Sequence, residues 1–218
     1  MSIGIIDYGA GNLRSVANAT RHLGFDPVLI RQPDQFADID QLIFPGVGSF
    51  GDCVANLHQL NLWQAVTDWV RADRPFFGIC LGYQVLFESS EESPGVGGLG
   101  VLAGSCVRFP AAKLKVPHMG WNTVQPTDPA DPAWSGLSAE PWFYFVHSYY
   151  PRPANEDVVA GWTDYGGRFA AAVRRGNLLA TQFHPERSQS NGLTLLGNFL
   201  SLRGQPAAGM IAASRASG

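Results

Sequence analysis

The chain is 218 residues long, carries 15 Lys and Arg against 18 Asp and Glu, and has a net charge of −3. With 45% hydrophobic residues it can bury a full core, which excludes global disorder, and its faint acidity excludes a protein built to neutralise nucleic-acid phosphates. No apolar stretch approaches the ~18 residues of a membrane span, no secretory leader is expected from Met1 to Asp7, which lack a basic start and a long apolar run, and three cysteines, Cys53, Cys80 and Cys106, are too few and scattered for a disulfide scaffold. The expectation is a cytoplasmic protein in a reducing compartment, where a lone thiol matters for its reactivity.

In chain order, Ser2–Asp7 reads as a short β-branched strand ended by the turn Tyr8-Gly9-Ala10-Gly11. Leu13, Val16, Ala17, Thr20 and Leu23 then recur at helical spacing, and Gly24 closes that helix. Pro27–Arg31 and Gln41–Phe44 are predicted strands, the second stopped by Pro45-Gly46-Val47-Gly48. Val54 to Val70 is helical in pattern. Pro75–Ile79 is a fourth apolar strand, followed by a helix-like run, Leu81–Phe87. Ser89–Gly100 is a loop rich in Glu, Ser and Gly. Strands then dominate: Val101–Phe109, Trp121–Gln125, Trp142–Val146, Val158–Thr163, Phe169–Arg174 and Leu178–Thr181. Leu193, Leu196, Phe199 and Leu200 return to helical spacing. The pattern predicts an α/β fold, with a mostly parallel central sheet flanked by helices and additional, partly antiparallel strands in the second half. One domain is expected over residues 1–203, with a flexible Ala/Gly/Ser tail over 204–218.

Cys80 lies in Gly78-Ile79-Cys80-Leu81-Gly82, between a predicted strand and a helix-like run. This is the cysteine form of the nucleophile elbow, whose glycines relieve a crowded strand-to-helix turn. A helix start lowers a thiol pKa and leaves backbone N–H groups free for an oxyanion. The alternative is an inert, packed cysteine, and that is the reading for Cys53 and Cys106. A thiolate needs a base. His22 and His58 fall on helices, and His118 and His147 in loops. His184 lies in Gln182-Phe183-His184-Pro185-Glu186. In an extended segment His-x-Glu sets both side chains on one side, so Glu186 can hold one imidazole nitrogen while the other faces Cys80. Alternatively the pair is a solvated strand end.

These two motifs resemble the triad-type (class I) glutamine amidotransferases. Further blocks, Ile5–Asn12, Pro45–Gly51, Pro117–Asn122 and Phe145–Tyr149, are similar to the glutaminase subunits of imidazole glycerol phosphate synthase, and the likeness runs from Ser2 to about Leu200. The resemblance implies a fold of the same α/β type and hydrolysis of glutamine to glutamate and ammonia through a cysteinyl thioester. It implies that Cys80 is the nucleophile, His184 the proton shuttle and Glu186 its support. Leu81 and either Val47 or Gly48 form the oxyanion hole, and Gly48, Gln84, Ser148 and Tyr149 hold the substrate. The partner implied is a (βα)8 cyclase that uses the ammonia to make imidazole glycerol phosphate and the purine precursor AICAR in histidine biosynthesis. Asn12, Pro117, His118, Met119, Gly120, Trp121, Asn122, Tyr144 and Arg187 match its docking face, with Arg187 standing where Lys is usual. No cofactor or metal, no nucleic acid and no membrane is implied.

Other readings are weaker. Gly46-x-Gly48-x-x-Gly51 matches the dinucleotide fingerprint, but the acidic residue it requires falls on Asp68, inside a helical pattern. Zinc lacks any C-x-x-C or H-x-H pair. Another Cys-His-Glu amidotransferase or a γ-glutamyl hydrolase would not need the Pro117–Asn122 block. A silent, partner-regulating module would not need an intact triad.

Overall fold

The structure is a computed structural model that describes residues 1–9, 12–110 and 114–202; the tail expected over 204–218 lies outside the described residues. The elements are β1 (Ile3–Ile6), α1 (Leu13–His22), β2 (Pro27–Ile30), β3 (Gln41–Gly46), α2 (Phe50–Gln59), α3 (Leu62–Arg71), β4 (Phe76–Cys80), α4 (Leu81–Gln84), β5 (Ser89–Ser90) and β6 (Gly104–Arg108). They continue with β7 (His118–Thr123), β8 (Gln125–Pro126), β9 (Trp142–His147), β10 (Tyr149–Pro153), β11 (Val159–Asp164), β12 (Arg168–Arg175), β13 (Leu178–Thr181) and α5 (Gln189–Ser201).

The main sheet runs β2-β1-β3-β4-β13-β12-β11-β8. Strands β2 to β13 of that order pair in parallel, and β12, β11 and β8 continue antiparallel. All five residues of β4 are buried, as a parallel strand covered on both faces requires. Alternation sorts the side chains into two cores. Phe44 and Phe76 pack with Leu57, Val66 and Trp69 under α2 and α3. Ile43 and Phe77 pack with Val16, Leu196 and Phe199 under α1 and α5. Two small sheets, β10-β6-β5 and β7-β9, complete the fold. Among the described residues no helix is long and apolar enough to cross a membrane.

Three local expectations are corrected. The helix predicted over Val54 to Val70 is two helices, broken where Asn61 adopts a left-handed φ of 57°, which its short polar side chain tolerates. The helical run after Cys80 stops at Gln84. Leu99, Leu102 and Gly100 donate their N–H groups to the carbonyls of Val85, Leu86 and Phe87, the acceptors that a longer helix would have used. This wrap also delays β6 to Gly104. Strand β10, which has no counterpart among the predicted strands, carries Pro151 and Pro153 and lies at the edge of its sheet, where missing donors cost nothing.

Candidate active site

The carboxyl ends of three parallel strands build the site. Gly46 of β3 stands opposite Cys80 of β4, and Thr181 of β13 stands opposite Ile79. Open α/β sheets place ligand crevices at such an edge. Cys80 turns out of β4 with φ 53° and ψ −102°, a conformation costing about 1–3 kcal/mol for a non-glycine residue. Backbone crowding enforces it. A Cβ on Gly78 would stand 2.7 Å from the Gly82 carbonyl oxygen, and one on Gly46 would stand 2.9 Å from the Gly82 nitrogen.

A cleft of about 330 Å³ opens at Cys80. It is lined by Val47, Gly48, Leu81, Gln84, Glu92, Val146, His147, Ser148, Tyr149 and Arg187. Each residue that the sequence assigned to the oxyanion hole or the substrate therefore borders one space. Glu92 carries no sequence signal, because a Glu- and Ser-rich loop reads as solvated. Its placement comes from the start of α2, where its Oε2 accepts from Phe50 N at 2.8 Å and Ser93 Oγ accepts from Gly51 N at 3.0 Å. Those contacts fill the helix N-terminus that a dinucleotide pyrophosphate would need, and Asp68 lies within α3.

His184 lies beside Cys80 and Glu186 beside His184, with side chains 2% and 0% exposed. His184 Nδ1 and Glu186 Oε1 are 2.8 Å apart, and Asn12 Nδ2 donates to the same oxygen at 3.2 Å. The segment is not extended, as the sequence suggested. Pro185 starts a single 3-10 turn, Pro185–Arg187, which folds Glu186 back beneath the imidazole. Nε2 is buried without a hydrogen bond of standard geometry. Burial alone would lower the His184 pKa, but the neighbouring Cys80 and Glu186 outweigh it and push the imidazole up to about 10. Cys53 and Cys106 differ: burial pushes the Cys53 thiol up to about 12 and raises Cys106 likewise, so both stay protonated.

Gln84 lines the cleft, yet its amide nitrogen is committed to the Tyr149 carbonyl at 2.9 Å and to Gln182 Oε1 at 3.2 Å. Gln182 Nε2 in turn lies 3.6 Å from Cys80 Sγ. His118 and His147, expected in loops, begin β7 and end β9, where their rings lie 3.2 Å apart through His118 Nδ1 and His147 Nε2. The Tyr149 carbonyl can only accept, so His147 Nδ1 carries its proton, and His118 Nδ1 must donate to His147 Nε2.

Burial lowers His147 to about 3 and His118 to about 4, so both are neutral in the fold. The unfolded chain titrates them near pH 6.5. Below that pH the unfolded state binds two protons that the native state refuses, and stability falls toward pH 4. We expect a loss of about 2 kcal/mol per histidine at pH 5 relative to neutral pH. Urea unfolding midpoints at pH 7 and pH 5 measure it. A His118→Gln chain should lose less between those pH values, and equal losses would contradict the assignment.

One rim of the cleft is apolar and open. Met119 is 59%, Trp121 43% and Trp142 54% exposed, and the Arg187 guanidinium lies 4.4 Å over the Tyr144 ring. Strand alternation points His118 the other way, into a stack with Tyr165 and Phe145, so it does not belong to this face. Pro117, Gly120 and Asn122 are half-buried, and Asn122 Nδ2 donates to the Asp164 carbonyl.

The model of the family described as glutamine amidotransferase class-I matches residues 4–201. The imidazole glycerol phosphate synthase subunit HisH of Methylococcus capsulatus is 49% identical over 208 residues, covering 91% of this chain and 95% of that one. The subunit of the same name from Rhodopirellula baltica is 49% identical over 198 residues, covering 90% and 96%. A solved glutamine amidotransferase superposes with a TM-score of 0.73 at 23% identity, covering 93% and 99%. PurLQS from Thermotoga maritima does so at 0.73 with 18% identity, covering 91% and 97%; at such identities these two show the fold. The chain belongs to the class-I glutamine amidotransferase family.

Proposed function

We propose that the chain hydrolyses glutamine to glutamate and ammonia on Cys80 and passes the ammonia to a (βα)8 cyclase subunit of imidazole glycerol phosphate synthase. That partner would make imidazole glycerol phosphate and AICAR in histidine biosynthesis. One observation carries the reading: Cys80 borders a cleft beside a buried imidazole whose far nitrogen is 2.8 Å from Glu186.

The Sγ proton passes to His184 Nε2, which the neighbouring Cys80 and Glu186 make basic enough to hold it; sulfur then bonds to the γ-amide carbon, and the carbonyl electron pair moves to oxygen. Leu81 N–H and an N–H of the Val47–Gly48 turn stabilise that oxygen, each worth about 10²–10³ in rate. Collapse breaks the C–N bond, and the leaving amine takes the proton from His184. Water then gives a proton to His184 and attacks the thioester, and the second collapse returns the proton to sulfur and frees glutamate. Glu186 holds the imidazole and Asn12 holds Glu186. Glu92 supplies a carboxylate for the substrate ammonium, while Ser148 and Tyr149 face its head group.

Met119, Trp121, Trp142, Tyr144 and Arg187 form the docking face, with Asn12, Pro117 and Gly120 at its base; Asn122 shares the His118 side of β7 and turns away from that face. A free-standing γ-glutamyl hydrolase would use the same triad but gives no reason for exposed aromatics beside the cleft. A single domain over residues 1–203 and a cytoplasmic location complete the proposal.

The turn Pro45–Gly48 is the candidate switch. Gly48 has φ +106°, and the Tyr8 hydroxyl donates to the Val47 carbonyl at 3.5 Å, holding one orientation of that peptide. Glutamine turnover should rise when the cyclase and its ribulosyl phosphate ligand are added. An unchanged rate would reject the coupling, and no thiol-dependent turnover under either condition would reject the enzyme.

A further inference from the structure

We infer that Gln182 is a positioning residue for the nucleophile, presenting a side-chain N–H to Cys80 Sγ. The inference deepens the glutaminase reading and rests on it for its kinetic consequence. Gln182 is fully buried just past the end of β13, and its backbone N–H is taken by the Ala171 carbonyl. A buried primary amide must find partners for its oxygen and its nitrogen.

The orientation of this amide follows from its neighbours. The Tyr149 carbonyl oxygen only accepts, so the Gln84 atom 2.9 Å from it is the nitrogen. That nitrogen is also 3.2 Å from the Gln182 side chain, and the Gln182 atom it meets is therefore the oxygen. The remaining atom, Nε2, points at Cys80 Sγ across 3.6 Å. Two amides in series thus deliver a donor to the sulfur, and the chain is anchored at a backbone carbonyl that His147 Nδ1 also holds, at 2.9 Å.

The chemistry needs such a donor at one moment. When Sγ gives its proton to His184, the sulfur carries a negative charge at a residue only 7% exposed, where little water solvates it. Gln182 N–H meets that charge and pins the sulfur in place, while transferring no proton itself. The anchor matters too, because the Tyr149 carbonyl belongs to the segment that borders the cleft. Substrate-side backbone and nucleophile are therefore tied through Gln84 and Gln182.

The test uses the chain assembled with its cyclase. Gln182→Met keeps length and apolar packing but removes the donor. We expect kcat for glutamine to fall by about tenfold to a hundredfold, the worth of one hydrogen bond to a charged atom, with KM little changed. Alkylation of Cys80 by iodoacetamide should slow in parallel. A folded Gln182→Met chain with wild-type kcat and alkylation rate overturns the inference, and so does a loss confined to KM, which would mark Gln182 as structural support for the substrate loop. If Gln182→Met does not fold, Gln182→Glu retains an acceptor for Gln84 but turns an oxygen toward the sulfur. It should lose at least as much, and wild-type kcat in it would overturn the inference. Wild-type turnover in the same assay separates the two claims: without it the glutaminase reading fails, while the alkylation rates still decide what Gln182 does to the thiol.

Discussion

Cys80→Ala should abolish glutamine hydrolysis and glutamine-dependent synthesis by the assembled enzyme, while synthesis from added ammonium salts continues at the wild-type rate. Removing a triad nucleophile costs on the order of 10⁶ in kcat, because the remaining members act only through it. The described residues hold no substitute: Cys53 and Cys106 are buried and protonated, and neither borders the cleft. The cavity left by one sulfur at a site 7% exposed is small, so the fold and the docking face survive. The measurement is glutamate release from glutamine, paired with product formation from ammonium. If an assembled Cys80→Ala complex lost both activities, chemistry would not divide between the two chains as proposed. If it retained glutamine hydrolysis, Cys80 would not be the nucleophile.

The strands that position Cys80 are legible because each is a short, largely apolar run marked at one end by a breaker, Pro45-Gly46 closing β3, Pro75 opening β4 and Gly176-Asn177 opening β13, and burial on both faces leaves little polar alternation to confuse. The G-x-C-x-G turn was legible for the same steric reason that makes it work. What could not be read was set by tertiary hydrogen bonds. Nothing near Gln84 in the sequence says that α4 ends there; the donors that end it come from Leu99, Gly100 and Leu102. Likewise His118 belongs to a block that resembles a docking face, but strand alternation turns it inward while Met119 and Trp121 stay exposed. Trp142 joins that surface only through the β7-β9 pairing, where it stands opposite Thr123.

The site divides along the same line. Residues in the nucleophile and His-x-Glu motifs announce themselves by local spacing, even though His184 and Glu186 meet across a turn begun by Pro185 and not along a strand. Glu92 and Gln182 carry no local signal. One is recruited by a helix start 42 residues away and the other by a sulfur 102 residues away. Asn12 shows both cases: the resemblance put it at a partner face, and the structure joins its side chain to Glu186.

Gly82→Ala should be among the most destabilising single substitutions in the chain, despite adding one methyl group. A Cβ at Gly82 would overlap the Phe44 carbonyl oxygen of β3 and lie 2.9 Å from its carbon. Neither can yield, because β3 is held between β1 and β4 by its ladder. The elbow must therefore move off the sheet, and a shift there breaks the contacts of Gly46 and Gly78 with the same residue. Overpacking a buried site costs about 1–3 kcal/mol and more where backbone blocks relaxation, so we expect a loss of about 3 kcal/mol or more. Activity should fall even in the folded fraction, since displacing a nucleophile by about 1 Å costs on the order of 10²-fold. Gly97→Ala is the control: its Cβ would meet only the Glu88 carbonyl oxygen, at 3.9 Å, and its backbone needs no positive φ. It should change stability by no more than about 0.5 kcal/mol. Urea midpoints and Cys80 alkylation rates for the two variants decide the matter. A Gly82→Ala chain as stable as Gly97→Ala, with its thiol equally reactive, would mean that the elbow is not held by backbone contact with β3.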